Sequence, residues 1–132
     1  MKTHTIGNET YSIFENLDKG NLRSLHFIWG KKDFRLFLER NGTPAGGQAP
    51  APKLAGKEAG EFVLTRLQYL NTFEWYDFDK VTGHGLAHDE VRWKKAKVGR
   101  YLDLPKQFYE VALELACREF KLKRKNPVAA AI

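Results

Sequence analysis

Residues 104–122 constrain the fold most, because their apolar positions repeat at helical spacing. Leu104, Phe108, Val111, Ala112, Leu115, Ala116 and Leu122 share one arc of a helical wheel, and Tyr109, Leu113 and Phe120 widen it. Lys106, Gln107, Glu110, Glu114, Cys117, Arg118 and Lys121 occupy the opposite face. A helix with so wide an apolar arc has to lie on another apolar layer. Asp103 is its expected N-cap, with Pro105 tolerated in the first turn. Glu114 and Arg118 are spaced for an i,i+4 ion pair. Glu119 falls inside the apolar arc, so fraying is expected from that residue. The KLKRK run then suits the negative end of the helix dipole, and Pro127 stops continuation.

Upstream segments supply the second layer. Residues 2–15, KTHTIGNETYSIFE, alternate around Gly7-Asn8, a dipeptide that tolerates a hairpin turn. Residues 24–40 repeat the form, with LHFIW and FRLFLE on either side of GKKD. Phe34, Leu36 and Leu38 would face one side of a strand, and Arg35, Phe37 and Glu39 the other. Helical spacing of Leu22, Leu25 and Trp29 competes with this reading, but hairpins are preferred. Residues 41–57, NGTPAGGQAPAPKLAGK, read as a flexible Gly/Pro/Ala-rich connector. Residues 58–73, EAGEFVLTRLQYLNTF, read as a second helix. Val63, Leu67 and Leu70 make one stripe, and Phe62, Tyr69 and Phe73 another. A strand is expected near 90–98. The expected architecture is a single α+β domain over 1–132. It has N-terminal antiparallel hairpins, the connector, two helices flanking a strand in the C-terminal half, and a basic tail at 121–132.

Charge is arranged in blocks. The formal net charge is +6, yet residues 61–90 carry two basic and six acidic side chains, while residues 91–102 carry five basic and no acidic ones. Such asymmetry suggests a polyanionic partner. The single Cys117 excludes an intramolecular disulfide and fits a reducing compartment. The start, MKTHTIGNET, lacks the apolar core of a signal peptide, and no apolar run has the length of a membrane span. A soluble, cytoplasmic protein without membrane contact is expected.

Three constellations compete for function. EVRWKKAKVGRYL sets Arg92, Lys94, Lys95, Lys97 and Arg100 around Trp93 and Tyr101. Cations neutralise phosphates and exposed rings stack on unpaired bases, so this strand is the expected interface for single-stranded nucleic acid or RNA. The partner would be nucleic acid or a nucleic-acid-processing complex. The alternative is a protein-interaction or inhibitory module docking through FEWYDFD, that is Phe73, Glu74, Trp75, Tyr76, Asp77 and Asp79. Third stands a small metal-dependent enzyme using His84, His88 and Asp89, two histidines four apart. Gly85 occupies the position where a zincin helix carries its catalytic Glu, and no Cys lies nearby. No Walker A or GxGxxG motif and no Ser-His or Cys-His signature is present. The reading therefore leans away from an enzyme and expects no cofactor.

Overall fold

In the computed structural model, which describes residues 2–47, 52–71, 73–81, 85–87, 89–95 and 99–125, Gly7 and Asn8 close the first hairpin. Gly7 takes φ +63, a conformation that costs glycine little. The hairpin joins β1 (Lys2–Ile6) to β2 (Glu9–Lys19), and a second joins β3 (Leu22–Trp29) to β4 (Lys32–Glu39). There follow β5 (Lys53–Gly56), β6 (Gly60–Asn71), β7 (Glu74–Lys80), β8 (Glu90–Lys95) and β9 (Arg100–Pro105). The helix α1 (Lys106–Phe120) and a short β10 (Lys123–Arg124) complete the order. All strand pairings are antiparallel, in the order β1-β2-β3-β4-β6-β7-β8-β9, with β5 beside β6 and β10 beside β5.

The expected α+β fold with two helices is therefore corrected. Among the described residues the protein is mainly β, with ten strands and a single α-helix. Residues 60–71 are a strand, and a bulge explains why they read as a helix. Phe37 pairs with Arg66 but Leu38 pairs with Leu64, so Thr65 is an extra residue. The inward positions become Phe62, Leu64, Leu67 and Tyr69, all buried. Their spacing of two, three and two residues imitates a helical stripe. Val63 and Leu70, placed on that stripe by the wheel, pair on the outer phase with Glu39 and Asp33.

α1 lies across the inner face of the sheet. Near its start Tyr109 stacks on Phe78 at 4.8 Å, and Phe108 meets Trp29 edge-on at 5.2 Å. Near its end Glu119 reaches β1 and β2. Asp103 does not cap the helix. Pro105 holds the N-cap position, and Asp103 is bound to Arg92 instead. The expected fraying at Glu119 is also absent: α1 continues to Phe120, and Lys121 ends it in the left-handed conformation. The Leu122 N–H closes this end on the Cys117 carbonyl at 2.9 Å. Cys117, expected on the polar face, is partly buried against the core.

The described parts of the 41–57 segment include a 3-10 turn at Ala45–Gly47 and the strand β5. Ala45 is buried, and Gly46, at φ +66, lies so close to the Asp79 carbonyl that a Cβ would fall 1.8 Å from its oxygen. Only glycine fits there. No helix of the described residues is long and apolar enough to cross a membrane.

Candidate nucleic-acid interface

The hairpin geometry brings three chain reversals to one end of the sheet. Trp29 pairs with Lys32 around the β3–β4 turn, Asn71 with Glu74 around the β6–β7 turn, and Lys95 with Arg100 before the β8–β9 connection. Asp33 faces Leu70, and Leu70 faces Trp75, so the first two turns are near neighbours. Glu74 ties the third to them. Its carboxylate accepts a hydrogen bond from Lys95 and lies 3.8 Å from Arg100. The Lys95 hydrogen bond holds the Glu74 carboxyl below the usual range.

Phe73 stands at this end, 95% exposed and at φ +67. An aromatic residue in the left-handed region is strained, and a two-residue hairpin turn is better served by Gly or Asn. Exposure of a whole phenyl ring adds a second cost. The turn itself demands the positive φ, so what the fold leaves unexplained is the choice of phenylalanine at that position.

Of the residues expected to bind nucleic acid, the structure separates the strand into two faces. Trp93 is fully buried, packed between Phe34, Tyr69 and Phe78. The stacking role expected of it is corrected: the ring belongs to the core. Arg92 makes a two-pronged bond to Asp103, at 2.9 and 3.1 Å. That bond holds Asp103 below the usual carboxylate range. Lys95 is engaged with Glu74. Lys94 lies opposite Tyr101 on the outer face, its ammonium 5.9 Å from a ring that is 53% exposed. Arg100 is exposed beside it, and Lys97 lies outside the described residues.

The acidic aromatic stretch 73–79 does not form one surface either. Tyr76 points into the core, Trp75 lies under the Arg35 guanidinium at 4.5 Å, and Asp77 bonds Arg66 at 3.1 Å. Asp79 sits near Lys80, with its backbone against Gly46. His84 and His88 lie outside the described residues. Asp89 is exposed, and its carbonyl accepts the Lys106 N–H at 2.7 Å. No group of three or more potential metal ligands occurs among the described residues.

That the turn of Lys31 and Lys32, Phe73 and Arg100 all lie at one end of the sheet was not readable from the sequence, because it depends on strand order. The third basic run, 121–125, lies away from this corner: Arg124 pairs with Glu110 and Lys125 with Glu61. Comparison with protein-family models, curated proteins and solved structures yields no match.

Proposed function

We propose that the protein is a non-enzymatic binding protein for single-stranded nucleic acid, engaged at the corner formed by Phe73, Lys94, Arg100 and Tyr101. Phe73 carries the reading: a ring 95% exposed, next to the Glu74 that Arg100 approaches at 3.8 Å, is one a base can stack on. Tyr101 offers a second ring beside Lys94, and Lys31 adds charge from the neighbouring turn. The net charge of +6 favours encounter with a polyanion. A reducing, cytoplasmic setting suits the lone thiol of Cys117. The same exposed Phe73 favours one alternative, a partner protein that buries the ring in a pocket.

Fluorescence anisotropy with labelled single-stranded oligonucleotides tests the reading. Affinity should fall as salt rises, by about 0.7 log units per log unit of salt for each phosphate neutralised. Phe73→Ala and Tyr101→Ala should each weaken binding by about 1 to 3 kcal/mol with little change of that slope. Absence of binding at low salt in a folded sample would remove nucleic acid and leave the protein partner.

A further inference from the structure

Three strands stand at the ends of the sheet order: β1, β10 and β9. Such edges carry unpaired backbone N–H and C=O groups, and folded chains tend to cover or blunt them. The helix α1 engages the first two. Arg118 donates to the Thr5 carbonyl of β1 at 2.9 Å, and the Arg124 backbone N–H of β10 donates to the Cys117 sulfur. β9 is different.

The ladder between β8 and β9 fixes which groups point outward. The Lys106 N–H bonds the Asp89 carbonyl at 2.7 Å, just beyond the facing residues Glu90 and Pro105, so those two form a non-hydrogen-bonded pair. The pairs then alternate. Val91 with Leu104, Trp93 with Leu102 and Lys95 with Arg100 exchange backbone hydrogen bonds, while the N–H and C=O of Tyr101 and Asp103 point away from β8. Pro105 has no N–H and ends the row. No described residue bonds the Tyr101 or Asp103 backbone on this outward side.

We propose that the β9 edge pairs antiparallel with β9 of a second copy of this chain, about a two-fold axis at Leu102. Register selects both the partner and the axis. An axis at Leu104 would set Asp103 against Pro105, which cannot donate. An axis at Asp103 would set two carboxylates face to face. An axis at Tyr101 would set Asp103 against Gly99, which leaves strand geometry at φ +62. With the axis at Leu102, each Tyr101 exchanges both backbone hydrogen bonds with Asp103 of the other copy. No like charges then face each other. Arg100 lies opposite Leu104, and Tyr101 lies opposite an Asp103 that Arg92 already neutralises. The half-buried Leu102 side chains meet across the axis. A two-fold contact uses one patch twice, so a self-complementary row is what a second copy needs. Pairing runs along the edge and leaves the outer face to other ligands, so it is independent of oligonucleotide binding.

Sedimentation equilibrium of the whole protein over a concentration series tests the proposal. The mass should rise from that of a single chain to that of a pair. Tyr101→Pro removes an outward N–H from each copy but spares the β8 ladder, so it should weaken dimerisation about tenfold or more. Tyr101→Ala keeps that N–H and should remain a dimer. Circular dichroism shows whether both variants fold. A second route does not depend on proline. Leu102→Cys should form a disulfide-linked dimer on oxidation, because facing Cα atoms of a non-hydrogen-bonded pair lie about 4.5 Å apart. Leu104→Cys, which retains the same Cys117, should not. A single-chain mass at every concentration, an unweakened dimer in folded Tyr101→Pro, or equal cross-linking of the two cysteine variants would overturn the proposal. The first of these results would leave the edge to a strand of a different protein.

Discussion

Asp77 on β7 stands directly opposite Lys94 on β8. This one register explains the charge blocks of the sequence. The acidic stretch and the basic stretch that follows it are neighbouring strands, and Lys95 likewise meets Glu74 across them. β8 is then neutralised on its other side as well, where Arg92 meets Asp103 of β9. Opposite charges facing each other help fix register, each pair contributing on the order of 0.2 to 1 kcal/mol. Much of the asymmetry is therefore spent within the sheet. The Asp77 carboxylate bonds Arg66 rather than Lys94, so Lys94 remains for a partner together with the exposed Arg100, which is why the proposed contact moves from the whole strand to its corner.

Phe73→Gly should make the protein more stable and a poorer ligand at once. Glycine relieves the left-handed strain, worth about 1 kcal/mol, and removes an exposed ring without leaving a cavity. Chemical denaturation should show a higher midpoint, while anisotropy shows weaker oligonucleotide binding. An unchanged or lower midpoint would mean that the ring supports the hairpin, and the choice of phenylalanine would then be explained by folding.

Trp93→Ala and Lys94→Ala are adjacent substitutions with opposite signatures. The tryptophan fills the core, so its loss should cost about 3 to 5 kcal/mol. The lysine is on the outer face, and its loss should change stability by no more than about 0.5 kcal/mol. In binding assays Lys94→Ala should reduce the salt slope by up to about 0.7 and weaken all sequences alike. Equal stability for the two variants would contradict the alternation of faces along β8.

How far the fold could be read follows from where alternation is regular. β3 and β4 have unbroken register, and Phe34, Leu36 and Leu38 face the core as their spacing says. β6 is interrupted at Thr65, and the phase change disguised it as a helix. The bulge at Phe14 likewise hid an outward pair, Phe14 and Glu15. α1 was legible because its arc is continuous, but its ends were not. Asp103 has the chemistry of a cap, yet Arg92 two-prongs it from the neighbouring strand. Phe73 carried no sequence signal of exposure, since the turn at its hairpin lacks glycine.

Cys117 should react slowly. Burial, with Glu114 nearby, pushes its thiol up to about 11, so thiolate is scarce at neutral pH. Alkylation by iodoacetamide at pH 7.5 should be far slower than for a cysteine in an unfolded chain, and should reach that rate in denaturant. Rapid labelling of the native protein would show that the C-terminal turn of α1 opens readily.

Glu119 gives the stability its dependence on acid. Its side chain is only 1% exposed, yet it receives Lys2 at 3.1 Å, His4 at 3.2 Å and Asn16 at 2.6 Å. Burial pushes this carboxyl up, but the hydrogen bonds from His4, Lys2 and Asn16 outweigh that and hold it below the usual glutamate range. A depressed folded value means the ionised form is stabilised by folding. The contribution is complete above the ordinary glutamate value and is lost as pH falls through the lower value of the folded state. Glu119→Gln should therefore cost about 1 to 3 kcal/mol at pH 7, where it forfeits charged hydrogen bonds that join the end of α1 to β1 and β2. The gap between variant and parent should narrow as the pH is lowered, because the parent carboxyl becomes neutral as well. Denaturant midpoints measured from pH 7 down to pH 3 give the comparison. Two curves that stay parallel over that range would show that Glu119 is held by packing, and that its ionisation contributes nothing to the fold.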